Sequence, residues 1–133
     1  MSEKHDLYLN ILKGFLNEKE NIKIISTEGG FGCPVFLDIT AIDLRGDNYL
    51  FYELKVEKKD IRNAIYQLEM AKVYAKQRGH NSASFIVLPD ELFLEITTKQ
   101  RAFKEGENFC AEITDYLWLD RLFEKLGYGV LLI

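Results

Sequence analysis

A carboxylate and an amine stand two residues apart in the middle of the chain, in a pattern that places both on one surface. Glu53 and Lys55 lie within residues 48–56, where polar and apolar side chains alternate as they do in a β-strand. Successive side chains of a strand point to opposite faces, so Glu53 and Lys55 share a face. Taken alone, this Glu-Leu-Lys motif favours a surface strand with an incidental ion pair.

A second carboxylate joins them if the preceding strand forms a hairpin with this one. Residues 44–47 have the composition of a four-residue hairpin loop, which would pair Asp43 with Asn48. The same register places Asp38 directly opposite Glu53. Carboxylates so placed have Cβ atoms about 4.5–5.5 Å apart and repel each other. A divalent cation would offset that repulsion, because Mg²⁺ typically binds one or two protein carboxylates and completes its shell with water and phosphate oxygens.

The surroundings of this group favour chemistry over an ordinary ion pair. Both carboxylates lie within apolar strand segments, where acidic residues are uncommon. Lys55 could position or deprotonate an attacking water and screen charge on phosphate oxygens. A predicted helix follows, in which Gln67 and Tyr74 are seven residues apart and therefore share a face. The alternative is that Gln67 is a boundary polar residue and Tyr74 belongs to the core.

The elements that must position these residues form an α/β pattern. Amphipathic spacing predicts a first helix over residues 3–19 and a second over residues 60–77, capped by Asp60 and ending before Gly79. In the first helix, the apolar positions are Leu7, Ile11, Phe15, Tyr8, Leu12 and Leu16. Strands are predicted over residues 21–27, 35–43, 48–56, 84–88 and 128–133, with weaker helical segments within 90–104 and over 114–126. The order predicts a central mixed sheet flanked by helices, in which an antiparallel meander leads into a parallel portion.

This ordered combination resembles the PD-(D/E)xK nuclease superfamily, which includes restriction endonucleases, RecB-type nuclease domains and Holliday junction resolvases. The resemblance covers roughly residues 3–90. It rests on Asp38, on Glu53-Leu54-Lys55, on a following helix with Gln67 and Tyr74, and on an acidic first helix.

The resemblance implies a restriction-endonuclease-like core that uses Mg²⁺ or Mn²⁺ to hydrolyse phosphodiester bonds of nucleic acid. It implies that Asp38, Glu53 and the Leu54 carbonyl are metal ligands and that Lys55 is the catalytic lysine. Gln67 and Tyr74 would support the metal site or touch the substrate backbone. The acidic residue of the first helix matches Glu3 or Asp6, of which we prefer Asp6 as a further ligand.

The charge distribution adds a substrate-binding surface. The 133-residue chain has a net charge of −4, which argues against general nucleic-acid binding. Residues 55–78 nevertheless carry seven basic and three acidic side chains, so this basic band could hold a phosphate backbone. We expect Lys58, Lys59, Arg62 and Tyr74 to contact the nucleic acid. The band would equally fit an ordinary solvated helix.

Composition limits the remaining possibilities. The length and the 47% apolar content predict one globular domain over residues 1–133. No apolar stretch approaches the roughly 20 residues that span a bilayer, and no export signal is evident at the N-terminus, so we expect a cytoplasmic protein without a membrane span. His5 and His80 are too far apart in sequence for an HExxH zinc site.

Three functional hypotheses follow. The first is a metal-dependent nuclease that acts on DNA in preference to RNA, is structure-selective or nonspecific, and works as a homodimer or within a larger complex. The second is a catalytically inactive nucleic-acid-binding or assembly module on the same scaffold. The third is an unrelated α/β domain whose Asp38, Glu53 and Lys55 form a surface ion-pair network.

Overall fold

The computed structural model describes residues 3–29, 36–46, 48–94 and 125–133. Helices and strands alternate along the chain much as the sequence pattern predicts. The helices are α1 (Glu3–Asn17) and α2 (Ile61–Gln77), the latter preceded by a 3₁₀ turn at Lys58–Asp60. The strands are β1 (Ile22–Gly29), β2 (Leu37–Asp43), β3 (Asn48–Leu54), β4 (Ser82–Leu88) and β5 (Gly129–Leu132).

The five strands form one mixed sheet in the order β1-β2-β3-β4-β5. The first three strands pair antiparallel, whereas β4 pairs parallel with β3 and β5 pairs parallel with β4. Parallel neighbours need a crossover connection, and α2 supplies the one between β3 and β4. The predicted α/β fold with a mixed sheet and flanking helices is therefore confirmed.

The register between β2 and β3 follows from the short loop that joins them. Asp43 pairs with Asn48, as the four-residue loop predicts, and the ladder continues to Ile39 opposite Tyr52. Asp38 and Glu53 come next in this register. They therefore lie just beyond the last pair of the β2–β3 ladder, while β3 continues to pair with β4 through Leu54.

Each helix covers one face of the sheet, so alternate strand residues enter two separate cores. The α2 side buries Phe51, Ile61, Leu68, Ala71, Ile86 and Leu88, among others. The α1 side buries Leu9, Leu12, Leu16, Ile39, Tyr52, Leu54 and Val87, among others. Glu53 lies two residues after Phe51 and so belongs to the face that α2 covers.

Two predictions about the helices are wrong. Asp60 does not cap α2 with its side chain, because it has helical backbone angles and the 3₁₀ turn runs directly into the helix. In α1, half of the predicted apolar face is solvent-exposed, since Leu7, Ile11 and Phe15 lie outside the core. The buried positions of α1 are Leu9, Leu12 and Leu16.

The C-terminal region is described only in part. Residues 90–94 are helical, as is the pair 125–126, and both fall within predicted helical segments. The rest of those segments lies outside the described residues. At the end of α2, Gly79 has a φ of 77°, which explains the predicted helix end there. None of the described helices combines the length and apolar character needed to cross a bilayer.

Candidate functional site

Two buried carboxylates are held against the backbone where β2 begins and β3 ends. The Asp38 N–H donates to Glu53 Oε1 at 2.8 Å, and the Leu54 N–H donates to Asp38 Oδ2 at 2.8 Å. Beyond the last pair of the β2–β3 ladder, these two backbone N–H groups thus donate to side-chain oxygens instead of carbonyl oxygens. Glu53 is 2% exposed and Asp38 is 8% exposed. The predicted convergence of the two acidic residues is what the structure shows.

The remaining oxygen of each carboxylate faces a nitrogen. Glu53 Oε2 lies 3.1 Å from Lys55 Nζ, and Asp38 Oδ1 lies 3.3 Å from His5 Nε2. The Lys55 backbone is fixed as well, since its N–H donates to the Val87 carbonyl of β4. Each carboxylate therefore has one oxygen fixed by the main chain and one directed at a basic side chain.

These groups line one cavity of about 560 Å³. Its walls come from α1, from the adjoining ends of β2 and β3, and from the segment that leads into α2. The lining residues are His5, Phe36, Leu37, Asp38, Glu53, Leu54, Lys55, Val56, Glu57, Lys59, Asp60 and Gln67. The volume falls within the roughly 300–1,000 Å³ that is typical of ligand-binding pockets.

Burial and the neighbouring carboxylate make Glu53 unusually hard to ionise. Loss of hydration is the main cause and the negative charge of Asp38 is the second; together they raise the pKa of Glu53 to about 7, although Lys55 opposes the change. A carboxyl group with so high a pKa, in a cavity, is typical of a functional site. A cation bound at this carboxylate would favour its ionised form.

The structure brings His5, a residue that the sequence pattern did not assign to the site, next to these carboxylates. His5 lies mostly buried on the first turn of α1, with a side-chain exposure of 13%. Asp6, the predicted ligand, has a side-chain exposure of 58%, and its carboxylate is 3.7 Å from His5 Nδ1. Asp6 does not line the cavity. Its role as a metal ligand stays a prediction, while the contact from α1 to Asp38 is made by His5.

The two residues predicted on α2 are placed differently. Gln67 lines the cavity and its Nε2 donates to the Phe36 carbonyl at 3.3 Å. Its Oε1 is buried without a hydrogen-bond partner among the described residues. Tyr74 lies about two turns further along, packed against the α2-side core, with the Arg78 guanidinium 3.6 Å from its ring centre. The structure does not bring Tyr74 to the cavity.

The predicted basic contacts lie around the mouth of the cavity and beside it. Lys59 lines the cavity, is 75% exposed, and has Nζ 3.2 Å from Glu57 Oε2. Lys58 lines a smaller neighbouring cleft that also includes Leu92. Arg62 is exposed on the first turn of α2. Of these predicted contacts, Lys59 is the one that lines the cavity with the carboxylates.

The oxygen donors of this site could supply part of the coordination shell of a hard divalent cation. Asp38 and Glu53 offer the one or two carboxylates that Mg²⁺ usually takes from a protein. No set of three or more His, Cys, Asp or Glu side chains within the described ranges has the arrangement of a metal cluster. Most of the coordination shell of a bound Mg²⁺ would therefore come from water, substrate and carbonyl oxygens, as the chemistry of this ion allows.

No protein-family model matches the chain, and no curated protein matches it in sequence. Its fold, however, is similar to solved structures. One is a repair endonuclease from Pyrococcus abyssi, with a TM-score of 0.55 and 16% identity over 100% of this chain and 47% of that one. Another is EndoMS in a complex with double-stranded DNA, with a TM-score of 0.53 and 14% identity over 92% of this chain and 42% of that one. The chain spans less than half the length of either.

At these identities the likeness concerns the fold. The mixed five-stranded sheet with helices on both faces is thus an architecture that repair endonucleases also have. The carboxylates and the lysine described above come from this chain's own geometry and do not depend on that comparison.

Proposed function

We propose that the protein is a metal-dependent nuclease of the PD-(D/E)xK superfamily that hydrolyses phosphodiester bonds, with DNA as the favoured substrate. The observation that carries the proposal is the buried pair of Asp38 and Glu53, fixed by backbone N–H groups, with Lys55 Nζ 3.1 Å from Glu53. Similarity of the fold to repair endonucleases, one of them in a complex with double-stranded DNA, supports it.

In this proposal Asp38 and Glu53 would hold Mg²⁺ or Mn²⁺, with the Leu54 carbonyl as a further ligand. When bound, the cation would polarise a phosphate oxygen and make a water molecule a better nucleophile. The two backbone hydrogen bonds keep both carboxylates oriented, so little rearrangement is needed during the reaction. His5 holds the second oxygen of Asp38 in place.

The position of Lys55 would allow it to contribute to the reaction in two ways. Its ammonium lines the cavity next to Glu53, where it can stabilise negative charge that develops on phosphate oxygens. A lysine in such a position can also orient the attacking water. Lys59, at the mouth of the same cavity, would hold a neighbouring phosphate.

Cleavage of labelled DNA tests the proposal. Single-stranded, duplex and branched DNA are incubated with the protein and Mg²⁺ or Mn²⁺, beside Asp38→Asn, Glu53→Gln and Lys55→Ala. We expect wild type to cut and each variant to lose about 10²- to 10⁴-fold in rate, the usual contribution of a positioned catalytic group. Binding, followed by fluorescence anisotropy in EDTA, should persist in all three.

Lys23→Ala is the matched control for Lys55→Ala, because Lys23 is an exposed lysine on β1, outside the basic band of residues 55–78. Its cleavage rate should equal that of wild type. If wild type binds DNA but never cuts it, the chain is a binding module on a nuclease fold. If it neither binds DNA nor takes up Mn²⁺ in calorimetry, the carboxylates and the lysine are only an ion-pair network.

A further inference from the structure

Phe36 is the most exposed large apolar side chain in the part of the chain that the structure describes. It is 70% exposed, yet it lines the cavity that contains Asp38 and Glu53. An aromatic ring left in water at the edge of a charged cavity gains no stabilisation from the fold, because it forgoes the burial that drives folding. Its position therefore suggests a surface that a ligand covers.

The ring has a fixed relation to the proposed reaction site. Phe36 comes two residues before Asp38, at the entry to β2. Its carbonyl accepts a hydrogen bond from Gln67 Nε2 at 3.3 Å, which ties this stretch of backbone to α2. An aromatic side chain thus lines the same cavity as the carboxylates, on a stretch of backbone that is tied to α2.

The same cavity carries cationic groups for a phosphate. Lys55 and Lys59 line it together with Phe36, and Lys59 is 75% exposed. An aromatic face beside lysines is the combination with which proteins bind single nucleic-acid strands, because bases stack on the ring while the backbone follows the positive charge. The cavity volume of about 560 Å³ also suits a ligand of nucleotide size.

We propose that Phe36 stacks on an unpaired nucleobase next to the phosphate that the site cleaves. In a regular duplex both faces of each base are covered by its neighbours, so a base must leave the stack before it can lie on a protein ring. The preferred substrate is then a single strand, or a duplex with an unpaired nucleotide close to the cleaved bond. This inference rests on the proposed nuclease function and narrows its substrate class.

Binding of short fluorescein-labelled DNA in EDTA tests the stacking independently of cleavage. Wild type is compared with Phe36→Ala, Phe36→Leu and Phe36→Trp, on a single strand and on the fully paired duplex of the same sequence. We expect Phe36→Ala and Phe36→Leu to weaken single-strand binding by about 5- to 100-fold, the usual effect of losing one stacking ring. Phe36→Trp should retain wild-type affinity, and duplex binding should change by less than about twofold in all three.

Leu44→Ala is the matched control. Leu44 is 55% exposed but lies in the β2–β3 loop, at the opposite end of these strands, so its loss should leave both affinities unchanged. Because both side chains are exposed, neither substitution should disturb folding, which circular dichroism checks.

The outcomes separate this inference from the proposed function. Equal losses on single strand and duplex, or no loss in Phe36→Ala, would overturn the stacking while cleavage by wild type still supports a nuclease. A single-strand defect in Phe36→Ala without any cleavage by wild type would keep the stacking and overturn the nuclease. Absence of all DNA binding by wild type would overturn both.

Discussion

At the scale of single residues, the site contains three residues that the sequence pattern predicts and one, His5, that it does not. Strand alternation and a four-residue loop leave only one register, so the sequence predicts that Asp38, Glu53 and Lys55 lie together. The predicted apolar face of α1 does not include His5, because it counts the exposed Leu7, Ile11 and Phe15 and leaves out the buried Leu9. The observed stripe of Leu9, Leu12 and Leu16 continues one turn back to His5, at helical steps of four, three and four.

His5 and Asp6 are neighbours in the sequence, but their positions predict different effects of mutation on the cleavage rate. His5→Ala should lower the cleavage rate by about 10- to 100-fold, the usual cost of losing a side chain that orients a metal-binding carboxylate. Asp6→Asn, which changes an exposed side chain outside the cavity, should cost less than about threefold on the same basis. Steady-state cleavage of one DNA substrate measures both. A larger loss of rate in Asp6→Asn than in His5→Ala would instead support Asp6 as the residue of α1 that acts at the metal site.

Glu53 should make the metal-free protein less stable as the pH rises. Its carboxyl group ionises near 4.5 in the unfolded chain but only near 7 in the folded one, so between these values the folded state binds the extra proton. Stability is therefore lost from about pH 4.5 to about pH 7. Urea unfolding in EDTA at about pH 5 and about pH 8 should show wild type falling relative to Glu53→Gln, on the order of 1–3 kcal/mol.

Wild type must be compared with Glu53→Gln because other carboxyl groups change the stability with pH in the opposite direction. Arg45 lowers the pKa of Asp43, and Lys4 lowers that of Glu91, so both favour the folded state at higher pH. A wild type and a Glu53→Gln protein with the same pH dependence would show that Glu53 ionises normally in the folded chain.

At the scale of elements, the strands were more predictable than the helix faces and ends. Strand alternation and loop length are local signals, and they predicted the meander and its register correctly. The exposed Leu7, Ile11 and Phe15 of α1 obey the same helical spacing as the buried stripe, so periodicity alone could not choose between them. Which stripe faces the sheet depends on tertiary packing.

Two glycines on different elements should respond to alanine in opposite directions. A Cβ at Gly129 would meet Phe85 Cδ1 at 2.6 Å, and the Phe85 ring already stacks on Tyr52 at 4.8 Å between centroids. Gly129→Ala should therefore destabilise the contact between β4 and β5, by about 1–3 kcal/mol. A Cβ at Gly14, inside α1, would have nothing within 4 Å, so Gly14→Ala should stabilise the protein by about 0.5–1 kcal/mol.

Thermal and urea unfolding of the two alanine variants beside wild type measures both effects. Equal stability of Gly129→Ala and wild type would mean that β5 can move away from Phe85 without loss. A less stable Gly14→Ala would mean that this stretch of α1 is not helical in solution.

At the scale of the whole molecule, an acidic body carries a basic band that begins at the cavity. Part of that band is neutralised locally, since Lys59 lies near Glu57 and Lys72 lies 4.0 Å from Glu69. Long-range attraction of nucleic acid would therefore be weaker than the count of basic residues suggests. The α/β fold was predictable from the order of elements, whereas the homodimer and the DNA preference stay predictions, because neither follows from one chain's pattern.

The amides of Asp38 and Leu54 each donate to a side-chain carboxylate of the neighbouring strand. Backbone N–H resonances depend strongly on the charge of their acceptor, so these two signals in a nitrogen–proton spectrum would register any proton or ion arriving at either acid. The molecule thus contains its own pair of spectroscopic reporters. In the 15N-labelled protein they would allow occupancy of the site to be followed without a substrate or a turnover assay.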